Sequence, residues 1–273
     1  MEMNSKSLKK IPQDLPESPY DLRSLMRNNL LVSPTSGMAL GHVQTNLAIL
    51  PADLAFDFLL FCNRNPKPCP IIEVIEAGKT EASITSPGSD IRTDVGLYRV
   101  YKFGKQIDEV TNISKYWQDN MVSFLLGCSF TFENALIEAG IELRHISQKC
   151  NVPMYITNIE TIPAGLFSGP MVVSMRPIKR SKIVKTIQIT SRFPSVHGSP
   201  IHIGDPKAIG INDLNAPDFG DTVEVKEDEI PTFWACGVTP QSVAMSSKPP
   251  LMITHSPGHM FITDHIDQDF AVN

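Results

Sequence analysis

The densest chemistry in this 273-residue chain lies between Thr190 and Pro206. Arg192, His197, His202 and Asp205 stand there among Pro194, Gly198, Pro200, Gly204 and Pro206. Proline fixes φ and glycine frees it, so the segment reads as loop of set shape. A rigid loop with these four side chains offers a carboxylate clamp, a proton donor and a base within one small volume. Each residue also has a plainer reading. Asp205-Pro206 is a helix N-cap followed by proline at the first helical position. His202, between Ile201 and Ile203, reads equally as a hydrogen-bonded core ring. Arg192 and His197 are harder to give to packing, because polar loop residues face solvent or a ligand.

Two further segments carry the same pattern of strand, Cys-x-x-Thr and helix. Met121–Gly127 leads into Cys128, Ser129, Phe130 and Thr131; Thr232–Ala235 leads into Cys236, Gly237, Val238 and Thr239. In an α/β sheet such a turn lies at the carboxyl end of a strand, where helix N-termini attract anions. Cys128, Thr131, Cys236 and Thr239 are therefore candidate substrate contacts, and the two turns are expected to face each other across one cleft. Helix dipoles there would favour thiolate. The plainer reading makes both cysteines small buried hydrophobes. His255, His259 and Asp264 are metal-ligand types, but Pro257-Gly258 breaks the helix that an i, i+4 histidine pair needs. No metal is read, and both histidines stay acid, base or ligand candidates.

Positioning these groups requires ordered elements. Ser18-Pro19-Tyr20-Asp21 opens a helix to about Asn28. Gly37 to Asn46 is glycine-punctuated and polar, a turn that brings His42, Gln44 and Asn46 toward a cleft or the surface. Pro51–Asn63 has helical apolar spacing, Ile71–Ile75 reads as a strand, and residues 77–90 as exposed loop. Tyr98–Phe103 and Gln106–Val110 form a hairpin about Gly104-Lys105. Asn151–Ile159 and Met171–Ile178 read as strands, with Asn158 and Arg176 near their ends as candidate substrate contacts. Ile183–Ile189 fits strand or helix, a short helix follows Pro206, Glu224–Glu229 is hairpin-like, and Leu251–Thr254 is a strand.

Composition bounds the classes. The chain is 42% apolar and 19% charged, with net charge -5, which gives no electrostatic case for nucleic acid or an anionic membrane. Residues 1–17 read as a loose polar arm without the apolar run of a signal peptide. The longest apolar run, Leu54 to Cys62, is too short to span a bilayer. Five cysteines without a C-x-x-C pair argue for free thiols in a reducing compartment, hence a soluble cytoplasmic protein.

Taken together, several motifs resemble the D-glutamate cyclase family, whose bacterial branch is labelled as hydro-lyases. They are Cys128–Glu133, Asn151–Tyr155, Gly169–Pro177, Arg192–Pro206, Phe233–Gln241 and Ile253–Asp264. The resemblance runs from near Arg27 to Asp264. It implies a three-layer α/β part, residues 1–149 and 230–273, with a smaller two-layer α+β part inserted at 150–229. It also implies conversion of D-glutamate to 5-oxo-D-proline and water, with no cofactor demanded. For that reaction Arg176 and Arg192 are the carboxylate clamps, since guanidinium binds carboxylate bidentately. His197, His202, Asp205, His255 and His259 are the acid and base candidates. The partner is a small-molecule carboxylate, with assembly of like chains left open. Two rival readings keep the fold: a hydro-lyase acting on another small carboxylic acid, and a non-catalytic protein that binds a dicarboxylate or oxoproline.

Overall fold

A computed structural model describes residues 15–272; most of the arm expected at 1–17 lies outside the described residues. Ser18 caps the first helix, α1 (Pro19–Arg27), by accepting from the Asp21 N–H at 3.4 Å. Then follow β1 (His42–Pro51), α2 (Ala52–Arg64), β2 (Ile71–Ile75), β3 (Tyr98–Lys102), β4 (Lys105–Val110) and β5 (Met121–Gly127). After them come α3 (Glu133–Glu138), α4 (Arg144–Ser147), β6 (Met154–Glu160), β7 (Pro170–Lys179), α5 (Ile183–Ser191) and β8 (His202–Ile203). The chain closes with β9 (Glu229–Ala235), α6 (Thr239–Ser247), β10 (Met252–His255) and β11 (Phe261–Ile266). No helix among the described residues is long and apolar enough to cross a membrane.

The architecture mixes helices with two sheets. The larger runs β2-β5-β1-β10-β3-β4, with β11 also on β1; the smaller runs β6-β7-β9-β8. Each recorded strand pairing is antiparallel. Alternation along β1 sends Ala48 and Leu50 to a core with Phe58 and Phe61 of α2 and Val243 and Ala244 of α6. Leu47 and Ile49 face the other way, onto Ala82, Ile91, Val95 and Ile113 from irregular chain. The smaller sheet buries Trp234 and Ile178 against Phe132, Leu136 and Phe193. Its other face covers Ile209, Ile211 and Val223.

Several expectations change. His42–Asn46 is not a turn but the first half of β1, a strand buried along its centre. Gln44, Thr45 and Asn46 are paired internally, which polarity alone does not reveal. Ile183–Ser191 is helical, and residues 224–228 form no strand. The expected boundary at 229/230 falls inside the sheet hydrogen bonding, because β9 pairs with β7 from Val173↔Ala235 to Lys179↔Glu229.

Candidate active site

β5 and β9 end in turns of the same construction. In the first, the Phe130 N–H donates to Cys128 Sγ at 3.5 Å and the Thr131 N–H to the Cys128 carbonyl at 3.1 Å. The Thr131 hydroxyl accepts from the Gln44 N–H at 3.2 Å and lies 3.4 Å from the Gln44 carbonyl. In the second, the Val238 N–H reaches Cys236 Sγ, and the Thr239 N–H donates to the Cys236 carbonyl at 3.0 Å. The Thr239 hydroxyl accepts from the Val172 N–H at 3.1 Å, lies 3.4 Å from the Val172 carbonyl and donates to the Cys236 carbonyl at 2.7 Å. Gln44 and Val172 hold equivalent places, since Thr45 pairs with Gly127 and Val173 with Ala235. The β1–β5 and β7–β9 pairs, each with its turn, are thus structural repeats. They meet: Cys128 and Cys236 share one cluster with Phe130, Val172, Val238 and Met260. The Asn46 amide fills the space that a Cβ on Gly237 would take.

Convergence is as expected, and of the two readings of the cysteines it is the buried one that the structure bears out. Both threonine hydroxyls are engaged by main chain, which makes Thr131 and Thr239 braces of the turns. Burial pushes the Cys236 thiol up to about 11 and the Cys128 thiol higher still. Desolvation outweighs the helix N-terminus, and both remain thiols.

Behind the cysteines lies a buried charge group. Glu133 Oε1 accepts from Arg176 Nη2 at 2.6 Å and lies 2.9 Å from His145 Nε2. Arg176 also donates to Ser129 Oγ at 3.0 Å and Ser174 Oγ at 3.1 Å. Its guanidinium lies 5.7 Å and 5.5 Å from the ring centroids of Phe132 and Trp234. Burial opposes the Glu133 charge, yet His145 and Arg176 prevail and hold its carboxyl down to about 2. Arg176 is therefore spent on an internal partner and is not a free clamp. Ser36 Oγ donates to Glu133 Oε2 at 3.0 Å and lies 3.2 Å from His145 Nε2. Both partners share one ring nitrogen, so the three form a triangle and not a relay. Ser36 and His145 line a cavity of about 250 Å³ with Lys149 and Asn151.

The Thr190–Pro206 loop does not gather its polar groups. Arg192 is exposed and donates to the Val272 carbonyl at 3.2 Å. Asp205 caps the turn at Pro206–Ile209 by accepting from the Lys207 N–H at 3.0 Å. His202 Nε2 lies 2.7 Å from the Asp205 carbonyl, its ring 5.7 Å from that of Phe233. Arg192 and Asp205 are thus exposed and His202 half-buried, each bonded to main chain, where successive prolines and glycines redirect the chain. Asn158 is likewise exposed, against Gly210. Of the loop's four candidate side chains, His197 alone turns inward: it is 1% exposed, with Nδ1 2.7 Å from the Lys67 carbonyl.

The C-terminal histidines lie at the same end of the larger sheet as the cysteine turns. Gly127 pairs with Thr45, Thr254 with Arg99 and His255 with Tyr98, so the ends of β5 and β10 and the starts of β1 and β3 form one rim. The Leu47 N–H, where β1 changes partner from β10 to β11, donates to His255 Nδ1 at 3.1 Å. Glu109 Oε1 accepts from Arg99 Nε at 2.9 Å and from the Ser256 hydroxyl at 2.8 Å. Gln241 holds the His255 carbonyl at 2.8 Å and accepts from the Tyr101 hydroxyl at 3.2 Å. Arg99 and Glu109 each keep 23% side-chain exposure. The Arg99 guanidinium lies 5.9 Å from the centroid of Phe219, whose ring packs on the cysteine cluster. Burial lowers His255 to about 3 and His259 to about 4, so both rings are neutral at pH 7. Asp264 is bound by Arg23 at 2.8 Å. No group of three or more His, Cys, Asp or Glu among the described residues is placed to hold a metal ion.

The β5, β9 and β10 parts of this rim fall within a known family model. The family model for D-glutamate cyclase matches residues 122–264, from β5 through both turns to β11. "Putative hydro-lyase GK2103" of Geobacillus kaustophilus is 59% identical over 257 residues, 94% of this chain and 98% of the relative. The chain belongs to the D-glutamate cyclase family. "Putative hydro-lyase YcsI" of Bacillus subtilis is 56% identical over 255 residues, 93% of this chain and 99% of the relative. A "Putative hydro-lyase" of Psychrobacter arcticus is 58% identical over 255 residues, 93% and 97% of the two chains. These names support a hydro-lyase. Among solved structures, a nitrogen repressor-like protein from Methanococcus jannaschii aligns with a TM-score of 0.38 and 10% identity. That alignment covers 89% of this chain and 94% of the other.

For this member of the D-glutamate cyclase family, sequence reasoning missed Arg99, Glu109, Glu133 and His145 as partners of the rim and the buried charge group. Arg99 and Glu109 sit in an ordinary hairpin, and only the sheet register sets them beside His255. His145 lies in a four-residue helix without periodicity to mark its buried face. Glu133 stood inside a quoted motif, where its spacing four residues after Ser129 was a usable signal.

Proposed function

We propose that the chain is a hydro-lyase that closes D-glutamate to 5-oxo-D-proline and water at the rim where the twin cysteine turns meet. The observation that carries this reading is Arg99, partly open to solvent and pinned through Nε by Glu109. The other side-chain hydrogen-bond partners of Arg99, Gln241 Oε1 at 3.5 Å and Tyr101, are neutral. A guanidinium held in this way suits a carboxylate, since orientation is set before the ligand arrives. Ring closure asks little else of the protein. The amine nitrogen bonds to the γ-carboxyl carbon, one carboxyl oxygen leaves, and two protons pass from nitrogen to that oxygen. A neutral imidazole at the rim can accept such protons. No carbon-bound proton is removed, which accords with thiols that burial keeps protonated. A lyase that took a carbon-bound proton through Cys128 or Cys236 would need a thiolate there.

Purified protein incubated in D₂O with D-glutamate, L-glutamate and a panel of small hydroxy acids tests this by NMR. The expected product is 5-oxoproline from the D form, without deuterium at the α-carbon. Arg99→Lys should raise KM at least tenfold, on the order of one lost charge-assisted hydrogen bond, at unchanged melting temperature. Water lost from another acid, or deuterium at the α-carbon, would replace the cyclase reading.

A further inference from the structure

Two histidines at the rim have ring nitrogens of opposite character and no well-formed hydrogen bond to either. His197 lies 1% exposed with φ +83°, a left-handed conformation that costs a non-glycine residue about 1 kcal/mol or more. Its Nδ1 is 2.7 Å from the Lys67 carbonyl. A carbonyl only accepts, so Nδ1 carries the hydrogen and Nε2 presents a lone pair. His255, also 1% exposed, shows the reverse. The Leu47 N–H donates to its Nδ1 at 3.1 Å, the shorter of two contacts, the other being 3.3 Å to the Leu47 carbonyl. The hydrogen of His255 therefore sits on Nε2. Neither His197 Nε2 nor His255 Nε2 has a well-formed hydrogen bond, although the Gly127 backbone acts on the His197 ring as well as that of Lys67. Leaving a buried polar group unpaired costs roughly 1–3 kcal/mol, and such groups in native proteins call for an explanation in function.

Their placement supplies one. Ser195 and Val196, directly before His197, back onto Gly127, which pairs with Thr45. The His255 ring stands on Leu47. Between them Asn46 reaches the Gly127 carbonyl at 2.7 Å and abuts Gly237. The two rings thus flank residues 45–47 of β1, at the end of the sheet where the cysteine turns meet. Arg176 and Lys67 act on the His197 ring, and His259 and Arg99 on that of His255. Burial above all, and then the charges of Arg176, Lys67 and Arg99, keeps both rings neutral.

We infer that His197 and His255 are a tautomer-matched catalytic pair: His197 Nε2 takes protons from the attacking nitrogen, and His255 Nε2–H holds the oxygen that becomes negative. This rests on the cyclisation reading. In that step the amine gives a proton to His197, the C–N bond forms, and negative charge collects on a carboxyl oxygen facing His255. His197 passes its proton to the second oxygen, receives the remaining surplus proton from nitrogen, and passes that on as well. The C–O bond breaks, water leaves, and both rings return to their first state. A neutral imidazole N–H stabilises an oxyanion without giving up its proton, so His255 need not titrate.

Nitrogen-15 NMR of the histidine rings in the wild-type protein tests the pair without any variant. The expected pattern is Nδ1–H for His197 and Nε2–H for His255, with the His255 Nε2–H shifted on addition of 5-oxoproline. The opposite tautomer in either ring overturns the inference. Asn in place of His197 keeps a donor toward Lys67 but has no lone pair at the Nε2 position. His197→Asn should lower kcat by about 10²–10⁴ with little change in KM. His255→Gln, which keeps an N–H at the outer position, should retain more turnover than His255→Asn. Cyclisation at the wild-type rate in His197→Asn sinks the pair and leaves the cyclase reading standing. If glutamate is not cyclised but oxoproline still shifts the His255 signal, the substrate reading falls and the assignment of His255 as carboxylate donor stands.

Discussion

Replacing Glu133 by glutamine tests the claim that Arg176 serves the fold and not the substrate. Glu133 is held at about 2 against an ordinary value of 4.5, with its side chain 2% exposed. At about 1.4 kcal/mol per unit, that displacement is worth on the order of 3 kcal/mol of stability. The folded carboxyl is depressed, so the contribution is full above pH 4.5 and lost as pH falls toward 2. Glutamine also leaves the Arg176 cation buried without its partner, a change that costs about 3–5 kcal/mol. The Glu133→Gln variant should therefore melt roughly 10 °C lower at pH 7, taking about 2–4 °C per kcal/mol for a chain of this size class. Differential scanning calorimetry and urea unfolding at pH 7 and pH 3 read both parts. The gap between wild type and variant should narrow at pH 3. A double variant with Glu133→Leu and Arg176→Met should be less damaged than either single change, because no unpaired charge remains. A Glu133→Gln protein within 1 kcal/mol of wild type at pH 7, with KM raised instead, would refute the structural role of Arg176.

His197 and His259 fall to about 4 and His255 to about 3, all from 6.5. Their unfolded forms bind protons first, so stability is complete above pH 6.5 and is lost as pH drops through 4; urea midpoints between pH 7 and 4 should show it. Gly237→Ala displaces the Asn46 amide from the Gly127 carbonyl and should cost about 1–3 kcal/mol, partly recovered by adding Asn46→Ala. Asp205→Ala removes an exposed cap and should cost about 1 kcal/mol in thermal melts while turnover stays unchanged.

The sequence by itself determined what depends on neighbours along the chain. The Ser18 cap of α1, the Asp205-Pro206 turn, the hairpin of β3 and β4 and the likeness of the two Cys-x-x-Thr turns are local, set by propensity, capping and alternation. The identity of the turns survived because the same bonds recur at the same offsets, from Thr131 to Gln44 and from Thr239 to Val172. Tertiary structure decided which polar groups are available. Arg192 and Arg176 are alike in sequence, yet one is exposed and the other is locked to Glu133. His197 and His202 are five residues apart in one loop, but glycine and proline between them send one inward and one to the surface. Arg99 reaches His255 only through the register of β3 on β10. Such pairings join residues more than a hundred positions apart, and no local pattern encodes them. Burial has the same non-local origin: it keeps Cys128 and Cys236 as thiols and leaves Nε2 of His197 and of His255 unpaired at the rim.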